Sequence, residues 1–312
     1  MAFLAGDAAG GCGGLRALPR SQGRSILTST FSSGDHQEII LNKPVVLSPG
    51  DDGAGVMTGM MANFLWLSLT LLLLSTVLGK TGLAAVGWSL FGAYWASQPA
   101  HYLAISDHFN AALTAATALL CLYISWLIAR GRAGWGMAWA TRACAICGIL
   151  YFPFAEIESL QSELTAHTAN LTFLMLQSLN IPVALEAGNL LILNGRAVEI
   201  VLACTAIESI ALFGGVIVSV SAPFSRKAAA LLLAVGSIYV LNLGRNAFVL
   251  LAYGLQWFGQ DSFYLAHNVI AKIGSTLALL LIAYLVMMIL PELLTMIDRL
   301  FVEIRQRGGR ST

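Results

Sequence analysis

Charge is what this sequence has least of. Asp, Glu, Lys and Arg make up 11% of its 312 residues and hydrophobic residues 57%, where a soluble domain carries about a quarter charged residues. That excludes an ordinary soluble fold and reads as a multi-pass membrane protein. No sign of charge is in excess: the formal net charge is +1. A near-neutral chain has neither the basic surface of a nucleic-acid binder nor the acidic surface of a protein adapted to high internal salt. Cysteine is sparse as well. The five cysteines, Cys12, Cys121, Cys144, Cys147 and Cys204, are too scattered for a disulfide framework and too few for a metal cage; no cofactor and no metal are expected. Cys144 and Cys147 have redox-motif spacing, but they lie inside an apolar helical run with no second pair, and packing explains them.

The first 59 residues lack any apolar run long enough for a signal peptide. They are Gly-rich around Cys12, carry Arg16, Arg20 and Arg24, and then become Ser/Thr-rich. The expectation for 1–59 is a disordered tail, or a start codon called too early, with Met57, Met60 or Met61 as the natural start.

From residue 60 onward apolar runs recur, each near the ~20 residues that cross a bilayer. Four fall in 60–155, at about Ala62–Leu78, Leu83–Trp95, Phe109–Ala129 and Met137–Ala155. Three fall in 201–298, at about Val201–Ser221, Ala228–Tyr253 and Val269–Leu290. The fold class expected is an all-α multi-pass membrane protein of about seven transmembrane helices. Basic residues follow alternate runs: Lys80, then Arg130 and Arg132, then Arg226 and Lys227, then Arg299, Arg305, Arg307 and Arg310 in a basic tail over 299–312. Positive residues mark cytoplasmic loops, so this alternation puts those four sites inside and the remaining connections outside.

The long outer segment, 156–200, changes period midway. Leu160, Leu164, Leu171 and Leu174 recur at helical spacing. Then Val183 and Leu185 alternate, Gly188-Asn189 interrupts, Leu190 and Ile192 alternate, and Asn194-Gly195 supplies the strongest short hairpin signal. An amphipathic helix and a small extracellular β-hairpin region are expected, leading directly into Cys204.

Three polar side chains stand out beside this apolar background. Cys204 falls where a polar segment becomes an apolar helix; a lone cysteine there is usually a small hydrophobe, but a helix start favours a thiolate. Arg245 lies in the sixth run, where an ionised group is costly and is paired, interfacial or functional. His267 precedes the seventh. On the charge alternation all three lie at the outer face. Read alone, they leave open a transporter or channel in which Arg245 binds an anion, although the runs show no inverted repeat and no Pro/Gly-broken helix pair.

The blocks Ala203-Cys204-Thr205-Ala206-Ile207-Glu208-Ser209, Asn242-Leu243-Gly244-Arg245-Asn246 and Ala266-His267-Asn268 together resemble the exosortase/archaeosortase family, on its archaeosortase branch, over about Ala62 to the C-terminus. One departure is Ala206, where the family usually has glycine. The third basic residue of the family is Arg or His, and His267 fits the exosortase form. The resemblance implies a thiol-dependent membrane protease/transpeptidase at the cell membrane, with Cys204, Arg245 and His267 catalytic. Its partners would be the C-terminal sorting signals of surface proteins: a short motif (of Pro-Gly-Phe type in the archaeosortase branch), a transmembrane helix and a basic cluster. The tail is removed through an acyl-thioester and the new C-terminus passes to a membrane lipid acceptor.

Overall fold

The computed structural model describes residues 16–18, 52–104 and 106–305. The expectation for 1–59 falls largely outside them. Within them the protein is helical, with one small sheet at one end of the bundle.

Three antiparallel helices come first: α1 (Asp52–Leu78), α2 (Thr81–Ala104) and α3 (His108–Ala129). Only Gly79 and Lys80 separate α1 from α2, which forces an antiparallel hairpin. Gly87 of α2 lies against Leu72 of α1, and Gly92 against Cys121 and Leu122 of α3. The Ser89 and Ser125 hydroxyls bond across at 2.8 Å. Small residues at such crossings let apolar helices approach closely where lipid provides no hydrophobic drive.

Helix α4 (Trp135–Glu156) packs on α1, and α5 (Glu158–Ser178) turns back at Ile157. The expected leucine stripe of α5 is not its inner face. Thr165, Thr168, Ala169, Thr172 and Leu176 are buried, whereas Leu174 is 48% exposed. The threonine hydroxyls bond carbonyls of their own helix, at 3.0 Å from Thr165 to Ser162, 2.9 Å from Thr168 to Leu164 and 2.8 Å from Thr172 to Thr168. Self-satisfied, they bury without an outside partner, a pattern that hydropathy does not register.

The chain then enters the sheet. Among the described residues β1 (Arg16–Leu18), β2 (Ala184–Glu186), β3 (Leu190–Leu193) and β4 (Arg196–Glu199) form it in the order β1-β4-β3-β2, all pairs antiparallel. Asn194 and Gly195 join β3 to β4 with φ of 53° and 73°, the two positive values that a tight two-residue hairpin requires. The Asn194 amide donates to the Gly254 carbonyl at 3.2 Å.

After the sheet come a 3-10 turn (Leu202–Cys204), α6 (Ile207–Ser219) and α7 (Phe224–Gly254). The Asn194–Gly254 bond therefore seats the hairpin on the end of α7. A further helical stretch, Gly259–Ile289, contains a π-helical segment (Leu265–Ala271) and α8 (Lys272–Ile289); α9 (Pro291–Arg305) ends the described chain. The Glu303 carboxylate of α9 accepts both the Gly136 and Met137 backbone N–H groups at 2.8 Å, capping the otherwise unpartnered start of α4. Arg226 at the start of α7 holds Glu292 through a fork at 3.1 and 2.5 Å. These contacts gather the basic positions Arg130, Arg132, Arg226 and Lys227 at the α9 end. The sheet lies at the opposite end.

Among the described residues, five helical stretches are long and apolar enough to cross a membrane: Met61–Leu78, α3, α4, α7 and Gly259–Ile289. The other two expected runs differ. Helix α2 has 24 residues but is less apolar, with Pro99 inside it. Helix α6 has 13 residues, about 20 Å of rise, because the first part of its run is spent on the 3-10 turn.

Candidate active site

The chain leaves β4 at Glu199 and reaches Cys204 within five residues, in irregular backbone. Such backbone is tolerated at membrane depth only where protein supplies its hydrogen-bond partners, and here it does. The Cys204 N–H donates to the Val201 carbonyl at 2.8 Å. The Leu202 carbonyl accepts the Thr205 N–H at 3.0 Å and the Thr205 hydroxyl at 2.6 Å. The Cys204 carbonyl accepts two side-chain amides of α7, Asn242 at 2.6 Å and Asn246 at 3.0 Å. Asn242 and Asn246 are one turn apart and therefore on one face of the helix. Arg245 lies between them.

The turn is then closed by Ala206, which has φ 63° and ψ 7°, the left-handed conformation that costs a residue with a Cβ about 1–2 kcal/mol. It lets the chain swing into α6, which begins at Ile207. Cys204 thus precedes the helix by three residues instead of opening it. Its side chain is fully buried, in an apolar cluster with Leu250, Ala266 and Ala271.

Arg245 sits nine residues before the end of α7 at Gly254, about 14 Å inside the helix, deeper than a position at the helix end. His267 lies within the π-helical segment Leu265–Ala271, and such irregular turns recur at functional sites. The π-segment packs on α7. The His267 ring stacks on Phe263 at 5.4 Å and 20°; Phe263 meets Tyr253 edge-on at 5.5 Å, and the Arg196 guanidinium covers Tyr253 at 4.9 Å. This aromatic chain ties the π-segment to β4, the strand that delivers Cys204.

Beside the buried thiol is a cleft of about 840 Å³ between α6, α7 and α8. Ala203 and Ala206, on either side of Cys204, line it, as do Arg245, Glu208 and Lys272. The segments of all three predicted residues therefore converge: Cys204 is clamped to the face of α7 that carries Arg245, and residues flanking His267 share its apolar cluster.

The transmembrane exosortase family matches residues 57–289 of this chain. The chain belongs to that family. Two relatives named archaeosortase A are each 30% identical to this exosortase-family chain. One, from Natronomonas pharaonis, aligns over 255 residues, 72% of this chain and 80% of the relative. The other, from Haloferax volcanii, aligns over 257 residues, 71% and 84%. No solved structure gives a significant match.

In this exosortase-family protein four polar residues at the site are not among those the sequence singles out: Asn242, Asn246, Glu208 and Lys272. Each carries a signal. The two asparagines stand four apart in an apolar helix, flanking an arginine. Glu208 and Lys272 are ionisable groups within or at the ends of apolar runs, where charge is rarely incidental.

Proposed function

We propose that this exosortase-family protein is a membrane cysteine transpeptidase acting on C-terminal sorting signals of surface proteins, with its site at the extracellular face. The observation that carries the reading is the double amide clamp from α7 on the Cys204 carbonyl, which fixes the cysteine against the helix face bearing Arg245. A nucleophile needs such positioning more than it needs exposure in the resting state, since catalytic geometry tightens on substrate binding.

In this mechanism the Cys204 thiolate attacks the scissile carbonyl. Arg245 stabilises the oxyanion; a guanidinium hardly deprotonates, so its part is charge stabilisation. His267 gives its proton to the leaving amine. The second half transfers the acyl group: a lipid headgroup amine attacks the thioester, a C–N bond forms, the C–S bond breaks, Cys204 leaves as thiolate, and His267 takes the amine's surplus proton. An amine held at the membrane surface competes with water through its effective concentration.

The cleft favours this over transport. Its lining ends at Ile238 and Ile282, and beneath them α7 and α8 pack together through Ala234, Val286 and Leu290.

Co-expression with a protein bearing a tripartite signal tests the proposal. Cys204→Ala abolishes tail removal while the protein still inserts, and Arg245→Lys lowers the rate on the order of 10²-fold, because one ammonium does not replace the planar fork. Undiminished processing by either variant removes that residue from the mechanism.

A further inference from the structure

We propose that the outer edge of β4 docks an extended peptide as an added strand, the peptide being the segment of a surface-protein substrate just upstream of its sorting motif, and that β1 holds this edge until one arrives. This rests on the reading of Cys204 as the nucleophile and assigns the substrate backbone its place.

Position is the first argument. β4 is the strand that leads to the thiol: Cys204 lies five residues beyond its last residue, Glu199, and α6 follows. A sorting substrate makes the same passage, from the outer surface to the nucleophile and then into the bilayer as its own helix. A strand laid beside β4 in the same direction therefore leads its scissile carbonyl to Cys204. The other edge of the sheet, β2, is two strands removed from β4.

Hydrogen-bonding capacity is the second. Asn194 and Gly195 form a two-residue turn, so the residues flanking it, Leu193 and Arg196, bond each other. Backbone groups alternate in direction along a strand. Val198 opposite Leu191 turns its groups to β3, and so does Ile200, whose N–H donates to the Asn189 carbonyl at 2.9 Å. Ala197 and Glu199 then turn theirs to the outer edge. Edge groups of this kind need partners, and the backbone of an incoming peptide supplies them whatever its side chains.

The present occupant is the third. β1, Arg16–Leu18, is three residues long and comes from a distant part of the chain. Among the described strands it pairs with β4 alone, Arg16 opposite Glu199 and Leu18 opposite Ala197. The edge thus accepts an extended segment from outside the hairpin, through a ladder short enough to yield to a longer one. β1 runs antiparallel to β4 and a substrate strand would run parallel; both draw on the same groups of Ala197 and Glu199.

Binding of a synthetic peptide to full-length Cys204→Ala protein in lipid nanodiscs tests the edge without any chemistry. The peptide carries an extended upstream segment, Pro-Gly-Phe, about 20 apolar residues and a basic cluster. N-methylation of single upstream backbone nitrogens removes one donor at a time. A strand on β4 predicts affinity losses of about tenfold at every second position, with little change at the positions between. Leu18→Pro, made in the same full-length protein, removes the β1 N–H that faces Ala197 and should tighten peptide binding about threefold. Ala17→Pro, where the N–H points away from β4, should bind as the parent does. Absence of alternation overturns the proposal, whether the losses are uniform or nil. So does binding to Leu18→Pro no tighter than to Ala17→Pro. Alternating losses in a protein whose Cys204→Ala variant still removes tails would leave the edge standing and sink the thioester reading; thiol-dependent processing without alternation would do the reverse.

Discussion

Ala206 bears the backbone strain of the turn that follows Cys204. The family usually has glycine there, and the observed φ of 63° says why: the turn after the cysteine needs a left-handed residue, which glycine adopts without penalty. Here an alanine accepts the strain, held by the Thr205 hydroxyl on one side and the start of α6 on the other. Ala206→Gly should therefore raise the unfolding free energy by about 0.5–1 kcal/mol, measured by thermal unfolding in detergent. A loss of stability would mean that the methyl group packs usefully enough to outweigh the strain. Arg245 and Cys204 are legible as residues because charge and thiol are rare in this chain. The asparagines that join them show only as a pair four apart beside an arginine; their role is not legible, because their partner is the Cys204 carbonyl, 38 positions from Asn242 in sequence.

Among the elements, the hairpin is the most readable. Asn194-Gly195 marks the turn in two residues, but the alternation of Leu190 and Ile192 picks the wrong side of β3, whose buried residues are Leu191 and Leu193. Helix α5 shows the same split. Its leucines have helical spacing, yet its buried face is a row of threonines whose hydroxyls are satisfied internally, so the helix can be located from sequence but not rotated correctly. Hydropathy overstates the length of α6 because apolarity continues through the 3-10 turn, and apolarity alone does not distinguish a turn whose carbonyls are capped by another helix from a helix proper. The short α6 instead relies on a close crossing with α4. A Cβ at Gly215 would come within 2.7 Å of the Ala143 carbonyl and 2.8 Å of the Cys147 N–H nitrogen, backbone atoms that cannot turn aside. Gly215→Val should destabilise the protein by about 1–3 kcal/mol and displace the Cys204 turn with α6. Wild-type stability of that variant in detergent would show the α4–α6 crossing to be looser than these distances require. Cys147 belongs to this same crossing, while Cys144 packs against the cluster formed with α1, α2 and α3.

At the scale of the whole molecule, two ends are distinct. The Arg226–Glu292 fork and the Glu303 cap on α4 bind α4, α7 and α9 at the basic end; the sheet, α5 and the Cys204 turn occupy the other. Charge alternation alone sorts the chain this way, since charge asymmetry survives uncertainty in helix boundaries. With the basic end inside, a cysteine introduced at Ser225, beside Arg226, should be labelled by impermeant maleimide only after the membrane is broken, and one at Gly188 in intact cells. The reverse pattern would put the candidate site on the wrong face for secreted substrates. The central claim is that Cys204 carries the acyl group of a cleaved sorting signal, and trapping that intermediate tests it most directly. Membranes processing a sorting substrate are quenched, digested and analysed by mass spectrometry with and without neutral hydroxylamine. The account predicts a substrate-derived acyl adduct on the Cys204 peptide, released as a hydroxamate by hydroxylamine. Tail removal with no adduct at Cys204, in a protein whose Cys204→Ala variant still processes, would contradict it.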